Sequence, residues 1–272
     1  MTRLPSRHIA GQRVWIIGAS SGIGAALARE LHSRGARVAI SGRRAAELEE
    51  VSGGEMIALP LDATDGGALA AGALTAAREM GGLDTVVWCA AYWEQTDPKV
   101  WDAASFARHV ELNLLGFNSL LGAVLPGMVE RGAGHIVGIA SVAGFRGFPG
   151  GEAYGATKAA QIALLESLRA SLRRSGVRVT TVAPGFVKTA LTDVNEFPMP
   201  FIISAEKAAR SIARGLERGQ MEVVFPFRMA VAMKFARLVP VRAWAMLYSR
   251  AGGTSQGRRP SANTRDPRAT TA

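Results

Sequence analysis

The stretch Val14-Trp15-Ile16-Ile17-Gly18-Ala19-Ser20-Ser21-Gly22-Ile23-Gly24-Ala25-Ala26-Leu27 decides the fold. Its first four residues are β-formers and read as a short buried strand, whereas the run after Gly24 reads as a helix. Between them stand three glycines and two serines. Glycine is needed where a chain turns sharply and where backbone must approach a phosphate. The helix that follows offers unpaired N–H groups and a favourable dipole to an anion. Strand, glycine loop and helix in that order are the context of a dinucleotide site.

Outward from this stretch, short β-branched runs alternate with longer helical ones, the pattern of βαβ units that build a parallel sheet covered on both faces. Seven strands are expected, at residues 14–18, 37–41, 56–60, 85–89, 134–140, 178–183 and 221–225. Helices are expected at 22–34, 68–80, 106–131, 155–174 and 205–218. The reading is an α/β catalytic domain over residues 1–225, a basic amphipathic helical extension over 226–251, and a tail over 252–272 too poor in apolar residues to pack.

The glycine spacing 18, 22, 24 resembles the GxxxGxG loop of the short-chain dehydrogenase/reductase family rather than the GxGxxG of other Rossmann proteins. The likeness extends over most of residues 12–225. It implies a Rossmann-type doubly wound sheet and hydride transfer between a nicotinamide cofactor and an alcohol or ketone. Gly18, Ser20, Ser21, Gly22, Ile23 and Gly24 would then cradle the pyrophosphate. Asp62 stands where the family's aspartate meets the adenine amino group, while Asp65 reads as a helix cap. Ala90 follows the fourth strand against the cofactor. Pro184, Gly185, Val187 and Thr189 match the family's segment against the nicotinamide carboxamide.

Cofactor choice is read at the end of the second strand, Ile40-Ser41-Gly42-Arg43-Arg44. No carboxylate is present there to hold a ribose 2′-hydroxyl and repel a 2′-phosphate. Arg43 first, and Arg44 second, would welcome that phosphate, so NADP(H) is expected ahead of NAD(H). The alternative is that both arginines are solvated at a helix start.

Tyr154 and Lys158 are spaced i, i+4 and so share a helix face. Alone that spacing is common. Ser141, thirteen residues before Tyr154 and at the C-terminal end of an expected strand, gives it weight, because ligands of parallel sheets bind at that end. The resemblance implies that Tyr154 is the general acid/base, that Lys158 favours its phenolate and holds the nicotinamide ribose, and that Ser141 binds the substrate oxygen. Asn113 matches the family's helix asparagine that joins the lysine to a proton-relay water; a purely structural asparagine is the competing reading. No metal ligand set is expected. One departure stands out: Trp88-Cys89-Ala90-Ala91 replaces the family's Asn-Asn-Ala-Gly, so Ala91 adds a methyl near the cofactor. Cys89 reads as a small buried hydrophobe.

Charge is unevenly placed. Residues 1–206 hold 19 Lys+Arg and 19 Asp+Glu, and residues 207–272 hold 13 and 3, so the entire +10 resides in the C-terminal segment. Without a basic-aromatic motif, a zinc-ligand cluster or a helix-turn-helix signal, this excess does not point to nucleic acid. Residues 227–250 set Arg228, Lys234, Arg237, Arg242 and Arg250 among Met, Phe, Leu, Val and Trp, resembling the extension of lipid-handling reductases such as the 3-ketodihydrosphingosine reductase group. Charges and Pro240 interrupt it too often for a bilayer span. It would lie on a membrane surface, cover the substrate pocket or meet another subunit. A hydrophobic substrate is expected from Phe197, Met199, Pro200, Phe201, Ile202 and Ile203, with Trp93 and the 145–148 stretch as a second wall.

A single cysteine and no signal-peptide pattern place the protein in the cytoplasm, with the inner membrane surface as an option. A homo-oligomer is expected from the resemblance, packed through the helices at 106–131 and 155–174. Two non-catalytic alternatives remain: a nucleotide-sensing binding protein on the same fold, and a peripheral membrane adaptor.

Overall fold

The computed structural model describes residues 8–193 and 198–251. The expected tail over 252–272, the first seven residues and Phe197 lie outside the described residues. Strands β1 (Arg13–Ile17), β2 (Arg37–Gly42), β3 (Ile57–Pro60), β4 (Thr85–Trp88), β5 (Gly134–Ile139), β6 (Val177–Pro184) and β9 (Glu222–Phe225) form one sheet. Its order is β3-β2-β1-β4-β5-β6-β9, with every neighbour parallel. This is the Rossmann-type doubly wound arrangement. Chain direction across the sheet reverses between β1 and β4, and the crevice at such a switch point is where α/β sheets bind ligands.

Because parallel strands are joined by crossover helices, both sheet faces are covered and the strands are largely apolar. One face carries α1 (Gly22–Ser33), α2 (Ala45–Ser52) and α8 (Ala205–Glu217), which bury Leu27, Leu31, Leu48, Ile212 and Leu216 against Ile16, Ile40 and Val137. The other carries α3 (Gly66–Met80), α5 (Phe117–Glu130) and α6 (Glu152–Ser171), where Leu69, Phe117, Leu120 and Leu165 meet Trp15, Trp88 and Ile136. Each such side chain contributes about 1.5–3 kcal/mol by leaving water. Asp65 caps α3 as expected, its Oδ1 accepting from the backbone N–H of Gly67 (2.8 Å) and Ala68 (3.0 Å).

The expected helix at 106–131 is instead α4 (Ala103–Val110), one π-helical turn at Glu111–Gly116, and α5. Its 28 residues are long and apolar enough to cross a membrane by composition, yet Phe117, Leu120, Leu121, Val124 and Met128 are core residues. Two features had no sequence signal: the short α7 (Ala190–Asp193) and the two-residue pairing of β7 (Val187–Lys188) with β8 (Ile203–Ser204). After β9 come α9 (Phe227–Ala236) and α10 (Val241–Ala251).

Candidate active site

The loop after β1 is pinned by its backbone. Gly18 N–H and Ala19 N–H both donate to the Ser41 carbonyl, at 2.8 and 3.0 Å, so the loop leaves β1 tied to the end of β2. Gly18 has φ +87°, and a Cβ there would lie 2.4 Å from the Ala90 nitrogen. Only glycine fits this crossing between the loop and the chain that follows β4. Ser21 occupies the N-cap of α1 without capping it, whereas Asp65, Asp102 and Ser204 cap α3, α4 and α8 with their side chains. The Ser21 hydroxyl instead accepts from Arg44 Nη2 at 2.8 Å, as does Ser20 Oγ at 3.0 Å. The first-turn N–H groups of α1 thus have no side-chain acceptor, which suits an anion.

Arg44 Nε is buried without a hydrogen-bond partner. Arg44, the residue ranked second from sequence, thus stands beside the loop after β1. Arg43 lies next to it after β2. Asp62, exposed after β3, spends Oδ1 on the Thr64 N–H (2.9 Å) and hydroxyl (2.8 Å).

A cleft of about 110 Å³ opens over the C-terminal ends of the central strands. It brings together Gly18, Ser21, Gly22, Ile23, Gly24, Ser141, Tyr154, Lys158, Pro184, Gly185, Val187 and Thr189 of the expected site. Cys89 and Ala91, the departing residues, also line it, while Ser20, Arg43, Asp62, Ala90 and Asn113 do not.

Tyr154, Lys158 and Gln161 lie on one face of α6, facing the end of β5. Lys158, 1% exposed, donates to the Ile139 carbonyl (2.9 Å) and to Gln161 Oε1 (3.0 Å). Burial pulls its ammonium down to about 8. Burial pushes the Tyr154 phenol well above its ordinary value, and a hydrogen bond with the Ser141 hydroxyl pulls the other way. Ser141 is fixed by accepting from the Ala143 N–H at 3.1 Å. Trp93 presents its ring edge-on to Tyr154, with centroids 5.2 Å apart. Burial pushes the Cys89 thiol up to about 12, so it stays protonated at neutral pH and is no nucleophile.

Asn113, in the π turn, is fully buried. Its Oδ1 accepts from the Tyr92 N–H (2.7 Å), and its Nδ2 donates to the Tyr92 carbonyl and Thr157 Oγ1 (3.0 Å each). The side chain thus ties the segment after β4 to α6. The Asn113 carbonyl accepts from Gln161 Nε2. Gln161 was missed from sequence, although its i+3 spacing from Lys158 put it on the same face.

Residues 12–197 match the family model described as short chain dehydrogenase. The chain belongs to that family. Short-chain dehydrogenases are NAD(P)-dependent oxidoreductases acting on small molecules, and so is this protein. An uncharacterized oxidoreductase of Myxococcus xanthus is 41% identical over 231 residues, 83% of this chain and 91% of the relative. A short-chain dehydrogenase from Sphingobium yanoikuyae in complex with NADPH superposes with TM-score 0.73 at 28% identity, covering 94% of this chain and all of that one. Actinorhodin polyketide ketoreductase with NADPH superposes with TM-score 0.70 at 25% identity, covering 78% and 95%.

The extension packs against the stretch between Ser141 and Tyr154. Arg146 Nη2 donates to the Val239 carbonyl (3.0 Å), and its guanidinium lies 5.4 Å from the Trp244 ring. Trp244 Nε1 donates to the Gly147 carbonyl at 2.7 Å. Met229 of α9 packs with Phe145, Val142 and Ile162, so Phe145 belongs to the core rather than to a pocket wall. Phe201 is 45% exposed, with Arg228 5.1 Å over its ring.

Proposed function

We propose that the protein is an NADP(H)-dependent carbonyl reductase that interconverts a hydrophobic ketone and its secondary alcohol. The observation that carries this reading is the convergence of Ser141, Tyr154 and Lys158 in one cleft with the uncapped start of α1. When bound there, the nicotinamide supplies or accepts the hydride. Tyr154 donates its phenolic proton to the carbonyl oxygen in reduction and takes it back in oxidation. A phenol held above its ordinary pKa is a reluctant base, and the Lys158 ammonium lowers that cost. Ser141 donates a hydrogen bond to the oxygen on which charge develops.

Preference for NADP(H) rests on Arg44. Its Nη2 already donates to both loop hydroxyls, and its buried, unpartnered Nε is the kind of donor a 2′-phosphate satisfies. Arg43 adds charge beside it. Gly18, Ser20, Ser21, Gly22, Ile23 and Gly24 cradle the pyrophosphate, Asp62 faces the adenine, Ala90 backs the cofactor, and Pro184, Gly185, Val187 and Thr189 hold the carboxamide. A hydrophobic substrate fits beside Trp93, whose ring meets Tyr154, with the 145–151 loop held by α10 through Trp244. The test is a nicotinamide-fluorescence titration with NADPH and with NADH. NADPH should bind at least about tenfold tighter; equal binding, or tighter NADH, removes the assignment.

A second role is favoured by the outer face of α9. Phe227, Phe235 and Leu238 are 79%, 66% and 77% exposed, with Arg228, Arg237 and Arg242 alongside. Such a face suits contact with an anionic membrane surface. Cosedimentation with anionic vesicles should be lost in full-length Phe235→Asp, Leu238→Asp; undiminished binding refutes the contact.

A further inference from the structure

Lysine chemistry in this cleft depends on where the Lys158 ammonium points, and the structure shows what aims it. An ammonium has three N–H donors and no acceptor. Two of Lys158's are directed at the Ile139 carbonyl and at Gln161 Oε1, 2.9 and 3.0 Å away. That leaves one for a ligand in the cleft that Lys158 lines. Gln161, 1% exposed, uses the other end of its amide to donate to the Asn113 carbonyl. Since an ammonium only donates and a carbonyl only accepts, this is the one orientation of the amide that satisfies both neighbours.

We propose that Gln161 is the positioning residue for Lys158, its side-chain amide standing between Lys158 Nζ and the Asn113 carbonyl where a relay water was expected. Two consequences follow. The ammonium is held by a fixed dipole rather than by an exchangeable water, so its direction is set before a ligand arrives. An amide also does not pass a proton along as a water does, so Gln161 fixes the Lys158 ammonium without carrying a proton from it to the Asn113 carbonyl. Asn113 is thereby left a structural duty, clamping Tyr92 and Thr157 with its side chain.

The titratable groups facing Lys158 are few. Tyr154 comes from α6 itself and Cys89 from the end of β4; β5 contributes the Ile139 carbonyl and the π turn the neutral Asn113. A change at residue 161 is therefore read directly in the lysine's titration.

The sequence has five lysines, so protein labelled with 13C at lysine Cε gives few resonances, and Lys158 is assigned by its disappearance in Lys158→Met. In Gln161→Leu, which keeps the bulk and removes the acceptor, the Lys158 midpoint should fall by about one pH unit, a tenfold change in its proton affinity. In Gln161→Glu, which faces the ammonium with a carboxylate, it should rise by at least about as much. Either variant alone decides the matter should the other not fold. A Lys158 midpoint unmoved by the substitution overturns the proposal, because a merely structural glutamine would leave that titration alone. The proposal's functional meaning rests on the reductase reading, but the titration is made without ligand. Failure to bind NADPH would refute that reading and leave this result standing by itself.

Discussion

The Lys158 ammonium lies 5.5 Å from the centre of the Tyr154 ring, one helical turn away on the same face of α6. Lys158 is out of water, and burial pulls it down to about 8. Below that pH the ammonium is charged and can hold a ribose; as pH rises through about 8 it loses its proton. NADPH affinity measured by fluorescence should therefore be flat at lower pH and weaken above about 8. In Lys158→Met it should be weak at every pH. An affinity in the parent protein that is constant to pH 10 would show that Lys158 does not contact the cofactor.

Arg44 bridges Ser20 and Ser21 and keeps a buried Nε without a partner. Arg44→Ala should weaken NADPH binding by about 10- to 100-fold, the worth of one or two charge-assisted hydrogen bonds, and leave NADH binding nearly unchanged. Calorimetry with both nucleotides distinguishes this from general damage to the loop, which would weaken both.

Trp244 and Arg146 fasten α10 to the 145–151 loop between Ser141 and Tyr154. Losing the indole removes a hydrogen bond and a cation–π contact, together about 1–2 kcal/mol. Trp244→Ala should raise KM for the carbonyl substrate by about tenfold at unchanged NADPH affinity. A change in cofactor affinity instead would place α10 against the nucleotide.

How much of this was legible in advance depends on the range of the interaction. The β1 loop was readable because Gly18 answers a local backbone demand, and the sheet because buried parallel strands are apolar runs. The π turn at Asn113 leaves no trace in helical periodicity, since one widened turn barely shifts the apolar pattern. That Arg44 reaches the β1 loop shows only once the chain's direction after β2 places its Nη2 on two serines more than twenty residues earlier. The extension was expected to be basic and amphipathic from its local pattern, whereas its inner face is set by Arg146 and Trp244, 98 positions apart. No local pattern carries such a pairing.

His135, in β5, is buried against Thr180 Oγ1 (2.9 Å), and burial, with Arg178 nearby, holds it down to about 3. The folded state keeps it neutral while the unfolded chain protonates it near pH 6.5, so stability is fully present above that pH. As pH falls from 6.5 toward 3, this one group should cost about 1.4 kcal/mol per pH unit. Urea unfolding of the parent and of His135→Val across that range should show the slope reduced in the variant; equal slopes would exclude His135 as its source.

The central claim is that Tyr154 moves the proton that accompanies hydride transfer. It is tested most directly by NADPH oxidation with lipophilic ketones, comparing the parent protein with Tyr154→Phe at matched cofactor occupancy. The account predicts turnover in the parent and a loss of about 10²- to 10⁴-fold in the variant, with NADPH affinity unchanged. Turnover that survives the loss of the phenol would contradict it.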